Sequence, residues 1–377
     1  TWPSEKTKKY SKKACAGQIQ RLYNSSRWEE ARILSLPHLY CEINADFAQD
    51  IVLRSLWNLH RYQEIIEFAA TWPSEKTKKY SKMAKKRMGE GVDPLPTIHA
   101  KTEWNEEKLL SNWYQEGQTV WLRHPWGWTH WVMPKGYDLS KTHPSLLALA
   151  MHVLLKPWVS DIDQIITEKR VYGEKLALSY SGGTDSAAAG ILLPDDTILS
   201  YHERNFSSML KHELPHRLFE QLHKQEGRDV LCVPSNHERI RTFHAKPNGF
   251  STDYAAGVHL ILLADHLNLK GVAFGTPIDN TWLEKGRRFR DFSKSWHWKH
   301  WREKFAHAGL YLELPINHLS EAGALRICQQ SNLASFINSC LRCTDGQGCQ
   351  KCWKCFHKNG PLGRPINPNS AEIQKFL

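Results

Sequence analysis

The chain has 377 residues, of which 41% are hydrophobic and 24% are charged, and its formal net charge is +11. This composition excludes a disordered chain and is enough to build two or three domains. No apolar run approaches the roughly 20 residues that span a bilayer, and the first residues contain no apolar signal core. We therefore expect a cytoplasmic protein with no membrane partner.

A repeated segment contributes part of the positive charge, which makes the net charge weaker evidence about binding partners. Residues 1–12 recur without change as residues 71–82, and the two copies diverge immediately afterwards. Because structural repeats keep related flanks, we interpret this repeat as an artificial duplication. Each copy carries four lysines and one glutamate, so the basic balance is weak evidence for a nucleic-acid partner.

The first 165 residues predict a smaller α+β region in two parts. Residues 1–99 show helical periodicity and end in a basic, Gly/Pro-rich linker over 83–100. Residues 100–165 are rich in tryptophan, with two β-prone runs around Pro125-Trp126-Gly127 and a buried helix near 145–158. We interpret the tryptophans as the core of a β-hairpin, and a base-stacking surface is the alternative.

Residues 166–377 alternate short apolar runs with helical stretches, which is typical of a parallel sheet covered on both faces. The predicted strands cover residues 176–179, 197–201, 229–233, 271–275 and 311–314. The predicted helices begin near Ser186 and Leu210 and cover residues 253–267 and 320–330. The fold class is therefore α/β, of the Rossmann-like kind.

A glycine-containing loop follows the first of these strands and opens a helix. Two glycines let backbone amides close on an anion, and the helix N-terminus adds oriented N–H groups. We expect this loop to bind the phosphate groups of a ligand. Its residues are Ser179, Ser181, Gly182, Gly183, Thr184, Asp185 and Ser186.

Two residues of this loop have further predicted roles. Asp185 is placed to hold Mg²⁺ beside the phosphates, and the Ser186 hydroxyl is a donor to them. We count both as catalytic residues. No lysine follows the glycines, so the loop is not a Walker loop.

Five of the nine cysteines lie between Cys340 and Cys355, which indicates a metal rather than disulfides. The spacing C-x8-C-x2-C-x2-C suits tetrahedral Zn²⁺ in a closed structural site, and an Fe–S cluster is the rival interpretation. Cys343 is a fifth candidate that can replace Cys340. Arg342, Lys351, Lys354 and Lys358 are expected to offset the thiolate charge. The predicted ligands are Cys340, Cys349, Cys352 and Cys355.

The loop resembles the PP-loop of the ATP pyrophosphatase superfamily (HUP-type fold), whose members cleave ATP between the α- and β-phosphates. Together with the cysteine knuckle about 160 residues later, it resembles the 7-cyano-7-deazaguanine synthase (QueC) family over residues 173–360. That resemblance implies that Tyr201, His202, Gly275 and Asp279 lie at the nucleotide. It also implies adenylation of 7-carboxy-7-deazaguanine and transfer of its acyl group to nitrogen.

The resemblance does not identify the nitrogen that accepts the acyl group, because the segment around residues 287–292 departs from the family pattern. Diverged QueC-like proteins of antiphage systems are thought to attach the deazaguanine group to a protein amine, whereas the synthase uses ammonia. A protein acceptor would dock on the N-terminal region, and a homodimer is compatible with the sequence.

A cationic and aromatic stretch over residues 287–305 permits three interpretations. It is an amphipathic surface helix, a lid with Arg290 or Lys294 on phosphate, or a nucleic-acid contact. In the lid interpretation Arg290 and Lys294 are catalytic. His202 and His259 are expected to be structural or close to the nucleotide.

Three function classes remain. The first is the QueC-like ligase, with ATP, Mg²⁺ and Zn²⁺. The second is a PP-loop enzyme that modifies tRNA or DNA, such as a thiolase, and requires a reactive thiol or an Fe–S cluster. The third is a non-catalytic nucleotide-binding scaffold.

Overall fold

The computed structural model describes the chain in segments. They are residues 16–25, 27–40, 45–59, 61–89, 103–159, 168–204, 210–244, 246, 249–284, 288–342, 347–375 and 377. In this part of the chain no helix is both long and apolar enough to cross a bilayer.

The chain divides into two units, and the first contains residues 1–104, 123–129 and 238–249. Its described N-terminal part is helical, and the apolar stripes of the helices form two small cores. One core includes Val52, Leu53, Leu56, Tyr62 and Ile65. The helices are α1 (16–24), α2 (Trp28–Ser35), α3 (Ala45–Asn58), α4 (Tyr62–Thr71) and α5 (Glu75–Gly89).

Residues 83–89 of the predicted linker are helical, because α5 continues to Gly89, and the rest of the predicted linker lies outside the described residues. The second copy of the repeat is part of this helical unit. Its Thr77 is fully buried, and the Thr77 hydroxyl donates to the Trp72 carbonyl at 2.8 Å. The first copy, residues 1–12, lies outside the described residues.

The second unit is built on an eight-stranded, mostly parallel sheet with strand order β1-β2-β3-β6-β5-β4-β7-β10. Its strands β4 to β7 and β10 are parallel, and β3 pairs antiparallel with β6 through Trp131 and Ser235. The strands are β1 (Trp113–Glu116), β2 (Thr119–His124), β3 (Gly127–Val132), β4 (Lys175–Ser179), β5 (Ile198–Arg204), β6 (Val230–Ser235), β7 (Leu269–Phe274) and β10 (Tyr311–Glu313). A separate pair is formed by β8 (Leu283–Glu284) and β9 (Arg288–Phe289).

Helices pack on one another on either side of this sheet. Helix α7 (Thr184–Leu192) contacts α11 (Glu321–Gln330), and α6 (Pro144–Leu155) contacts α9 (Val258–Leu262) and α10 (Trp296–His307). Helix α8 (Glu213–Glu226) connects β5 to β6. One core of the second unit joins Leu178 and Leu199 of the sheet to Leu218 of α8 and Ala324 of α11.

The α/β fold class is confirmed, whereas two details of the sequence prediction are wrong. The tryptophan-rich hairpin is not a separate small core, since β1, β2 and β3 extend the main sheet. The helix expected over 253–267 is short, because the chain turns after Leu262 and Asn268 adopts a positive φ of 52°. Trp131 is fully buried, which agrees with a core role rather than a base-stacking surface.

Candidate functional site

The predicted phosphate loop (residues 179–186) connects β4 to α7 at the carboxyl edge of the sheet. Gly182 has a φ of +71°, the left-handed conformation that glycine adopts without strain. The Ser186 hydroxyl accepts from the Ser181 N–H at 3.1 Å, donates to the Gly183 carbonyl at 3.1 Å and lies 3.0 Å from the Ser181 hydroxyl. The two serines therefore hold the loop closed over the start of α7.

Gly275 lies against the first turn of α7. A Cβ atom at this position would come within 2.7 Å of the Asp185 carbonyl and of the Ser186 nitrogen. This distance is far below van der Waals contact, so only glycine lets the end of β7 approach the loop so closely. Gly275, predicted from the family resemblance, is thus adjacent to the loop.

The four predicted ligand cysteines converge near the C-terminus. Their sulfur atoms all lie within 4.8 Å of one another, and Cys340 and Cys352 are 3.7 Å apart. Gln350 in this segment has a positive φ of 58°, and Gly348 packs closely against the cluster, since a Cβ there would be 3.2 Å from the Cys355 sulfur. The set is therefore close enough to bind one metal ion.

Nearby N–H groups favour negative charge on these sulfurs. The Cys340 sulfur accepts from the Arg342 N–H at 3.3 Å, and the Cys355 sulfur accepts from the Asn359 side-chain amide at 3.6 Å. The thiol of Cys352 donates to Cys340 and lowers the pKa of Cys340 to about 3. Such N–H donors are typical surroundings of metal thiolates. Cys343, the fifth candidate, lies outside the described residues.

The knuckle (residues 338–359, comprising the cysteine turns and the short π-helix Cys355–Asn359) contacts the phosphate loop directly. The Ser339 hydroxyl accepts from the Thr184 N–H at 3.2 Å, and the Asn338 N–H donates to the Gly182 carbonyl at 3.2 Å. The Lys358 ammonium pairs with Asp185 at 2.9 Å. Three residues of the knuckle therefore position the loop.

Lys358 bridges two carboxylates beneath the loop. It is only 5% exposed, and its ammonium also lies 3.2 Å from Glu321 at the start of α11. The predicted site residue Asp279 accepts from the Glu321 N–H at 3.1 Å, so it joins this network. One oxygen of Asp185 is thus paired with Lys358 rather than free for Mg²⁺. Sequence reasoning assigned Lys358 to the thiolates and did not find its carboxylate partners.

The two predicted residues of β5 point to opposite faces of the sheet, since neighbouring side chains alternate on a strand. Tyr201 is buried in the core beside α8, and its hydroxyl lies 2.7 Å from His212. His202 lies in a buried histidine cluster with His237 and His259, at ring-centre distances of 4.2 Å and 6.0 Å. Nucleotide contact by either residue stays a prediction.

Burial keeps this histidine cluster neutral. Desolvation lowers the pKa of His202 and of His237 well below the usual value, and it lowers the pKa of His259 to about 3. The structural role expected for His202 and His259 agrees with this buried environment.

The predicted residues before α10 already have partners. The Arg290 guanidinium donates to the Thr281 carbonyl at 2.6 Å and to the Asn280 carbonyl at 3.2 Å. Lys294 is 80% exposed and pairs with Asp291 at 3.0 Å. Helix α10 buries Trp301 and Phe305, as an amphipathic helix does. The lid and nucleic-acid interpretations stay predictions.

A pocket of about 280 Å³ lies beside the knuckle. Its lining includes Arg217 of α8, Gln350, Asn359 and Arg364. Arg364 donates to the Ala334 and Ser335 carbonyls through one nitrogen, while its buried Nη1 has no hydrogen-bond partner.

Residues 300–360 match one sequence family, described as a family of unknown function (DUF6395). The matched segment includes α11, the four clustered cysteines and Lys358, and it excludes the phosphate loop. No curated protein matches the chain.

Proposed function

We propose that the chain is an ATP-dependent ligase of the PP-loop type, which adenylates a 7-deazapurine carboxylate and transfers the acyl group to nitrogen. The observation that carries this proposal is the joined loop and knuckle: Ser339 and Lys358 reach Thr184 and Asp185 at 3.2 Å and 2.9 Å. The QueC-like resemblance rests on the same two motifs.

In the proposed reaction, the N–H groups at the start of α7 and the hydroxyls of Ser181 and Ser186 bind the phosphates of ATP. A carboxylate oxygen of the substrate attacks the α-phosphorus, and pyrophosphate leaves. The nitrogen of ammonia or of a protein amine then attacks the acyl carbon, loses a proton and releases AMP. The loop contributes positioning and charge stabilisation.

The proposed resident metal is Zn²⁺, with Mg²⁺ accompanying ATP. Four cysteine sulfurs within 4.8 Å and N–H donors around them fit a closed tetrahedral zinc site. When bound, zinc would supply folding energy to the knuckle rather than reaction chemistry. Ser339 and Lys358 flank the ligands Cys340 and Cys355, so an ordered knuckle would hold both in place.

The other two function classes receive less support. A thiolase needs a reactive thiolate, yet burial raises the pKa of Cys232 to about 11 and that of Cys328 to about 12. These are the two described cysteines outside the knuckle. A non-catalytic nucleotide-binding scaffold would not need the Asp185 carboxylate and the Ser186 hydroxyl in a closed loop.

The pocket beside the knuckle is the proposed site of the deazapurine, since polar side chains such as Asn338, Gln350 and Asn359 line it. In this proposal the acceptor of the acyl group is either ammonia or a protein amine. A cytoplasmic location fits it, and nucleic acid is not required.

The test is pyrophosphate and AMP release from Mg·ATP, with and without 7-carboxy-7-deazaguanine, followed by mass spectrometry of all products. We expect release that depends on the deazapurine and is lost in Ser186→Ala. The matched control is Ser35→Ala, which removes another buried hydroxyl, one that donates to the Ala31 carbonyl at 2.7 Å. A free amide or nitrile would identify ammonia as acceptor, and a heavier polypeptide a protein amine. Release that depends on tRNA or DNA instead would refute the proposal.

A further inference from the structure

Three side chains from three different elements converge beside α8, apart from the knuckle. They are Glu203 of β5, His216 of α8 and Cys232 of β6, and one ligand atom of each lies within 4.8 Å of those of the other two. The His216 Nε2 atom is 3.6 Å from a Glu203 carboxylate oxygen. The proposed ligase reaction uses none of the three.

The sheet register brings these residues together. Tyr201 pairs with Cys232 across β5 and β6, so their side chains share a face, and Glu203 lies two residues further on the same face. Tyr201 contacts His216 and Phe219 of α8 at ring-centre distances of 6.3 Å and 5.1 Å, so α8 covers this face. Two strands and a helix therefore place the three ligands without relying on a loop.

We propose that Glu203, His216 and Cys232 form a second metal site, which binds a divalent cation of the Zn²⁺ class. One thiolate, one imidazole and one carboxylate are all zinc-type ligands, and the two anions neutralise a divalent ion. Three protein ligands leave a coordination position for water or an external ligand, unlike the four-cysteine knuckle. The inference goes beyond the proposed function and does not depend on it.

The surroundings allow metal entry and define the proton balance. The side chains of Glu203 and His216 are 24% and 46% exposed, so an ion can reach them from solvent. The Cys232 thiol donates to the Val230 carbonyl at 3.7 Å, so it carries a proton before the metal binds. Metal binding therefore releases this proton to solvent as the sulfur–metal bond forms.

The test is zinc content per chain, measured by elemental analysis after equilibration with Zn²⁺ and gel filtration. We expect two zinc ions in the unmodified protein and one in Cys232→Ser and in His216→Ala. The control is His223→Ala, which changes an exposed histidine of the same helix and keeps both ions. With Co²⁺ as the probe, Cys232→Ser should remove one part of the thiolate-to-cobalt absorption and Cys352→Ser the other.

The inference is overturned when neither Cys232→Ser nor His216→Ala binds less zinc than the unmodified protein. Since metal content is measured without ATP, a failed ligase assay leaves this result unaffected. A failed second site likewise leaves the ligase proposal standing.

Discussion

One buried lysine balances the negative charge of two carboxylates beneath the predicted phosphate loop. Lys358 is almost fully buried between Asp185 and Glu321, each partly exposed, so it balances two carboxylates with one ammonium. A buried cation between two anions costs desolvation but becomes expensive to remove once it is in place. The sequence predicts that Lys358 offsets the thiolate charge, whereas in the structure Lys358 holds the loop through Asp185.

We predict that Lys358→Met destabilises the protein by about 3 kcal/mol, at the low end for breaking a buried pair because both carboxylates reach solvent. Urea unfolding at constant zinc measures the change. ATP turnover should fall as well, since Asp185 loses its partner. Lys358→Arg should recover part of both losses.

The control is Lys78→Met, whose pair with Glu75 is exposed and is expected to contribute less than about 1 kcal/mol. Equal losses of stability in the two variants would contradict a special role for Lys358.

Gly275 gives a second prediction at this scale. In Gly275→Ala the new methyl group would lie 2.7 Å from the backbone of Asp185 and Ser186, so the loop must move. We expect a loss of about 1–3 kcal/mol in unfolding free energy and weaker ATP binding by calorimetry.

Gly17→Ala is the matched control, because no atom lies within 4 Å of its added Cβ and alanine favours the helix α1. It should be neutral or slightly stabilising. Unchanged ATP affinity in Gly275→Ala would show that the close approach is unimportant for the site.

At the scale of elements, the knuckle acts on the loop through short connections. Asn338 and Ser339 precede Cys340, and Lys358 follows Cys355 by three residues, so ordering the four sulfurs also orders these contacts. Helix α11 contributes Glu321 to the same network. The four-cysteine cluster and the predicted phosphate loop are consequently one structural unit.

We predict that removing the metal with a chelator, or changing Cys352→Ser, weakens ATP binding at least tenfold. The physical reason is that Ser339 and Lys358 are no longer held against Thr184 and Asp185. Calorimetry with ATP, beside elemental analysis for zinc, measures both losses. Full ATP affinity in protein shown to lack the knuckle metal would refute this coupling.

At the scale of the whole molecule, buried histidines make stability dependent on pH. Desolvation lowers the pKa of His202 and His237, and that of His259 falls to about 3, while an unfolded histidine titrates near 6.5. Below that pH the unfolded chain binds more protons than the folded chain. Stability is therefore full above pH 6.5 and is lost on acidification, through the window down to about 3 for His259.

We predict that each of these histidines lowers the unfolding free energy by up to about 1.4 kcal/mol for each pH unit below 6.5. Urea unfolding at pH 7.5 and 5.5 measures the slope. His259→Gln should reduce the slope, whereas exposed His223→Ala should leave it unchanged. The same slope in the unmodified protein and in His259→Gln would contradict the prediction.

Local patterns in the sequence are enough to predict the α/β class, the glycine-containing loop between a strand and a helix, and the cluster of four cysteines. These features depend on local periodicity, glycine spacing and ligand spacing, which are visible along the chain. The tertiary structure alone decided that the hairpin joins the main sheet and that Lys358 pairs with Asp185. It also brought Glu203, His216 and Cys232 together. Such contacts depend on strand order and register between distant segments, which no local pattern records.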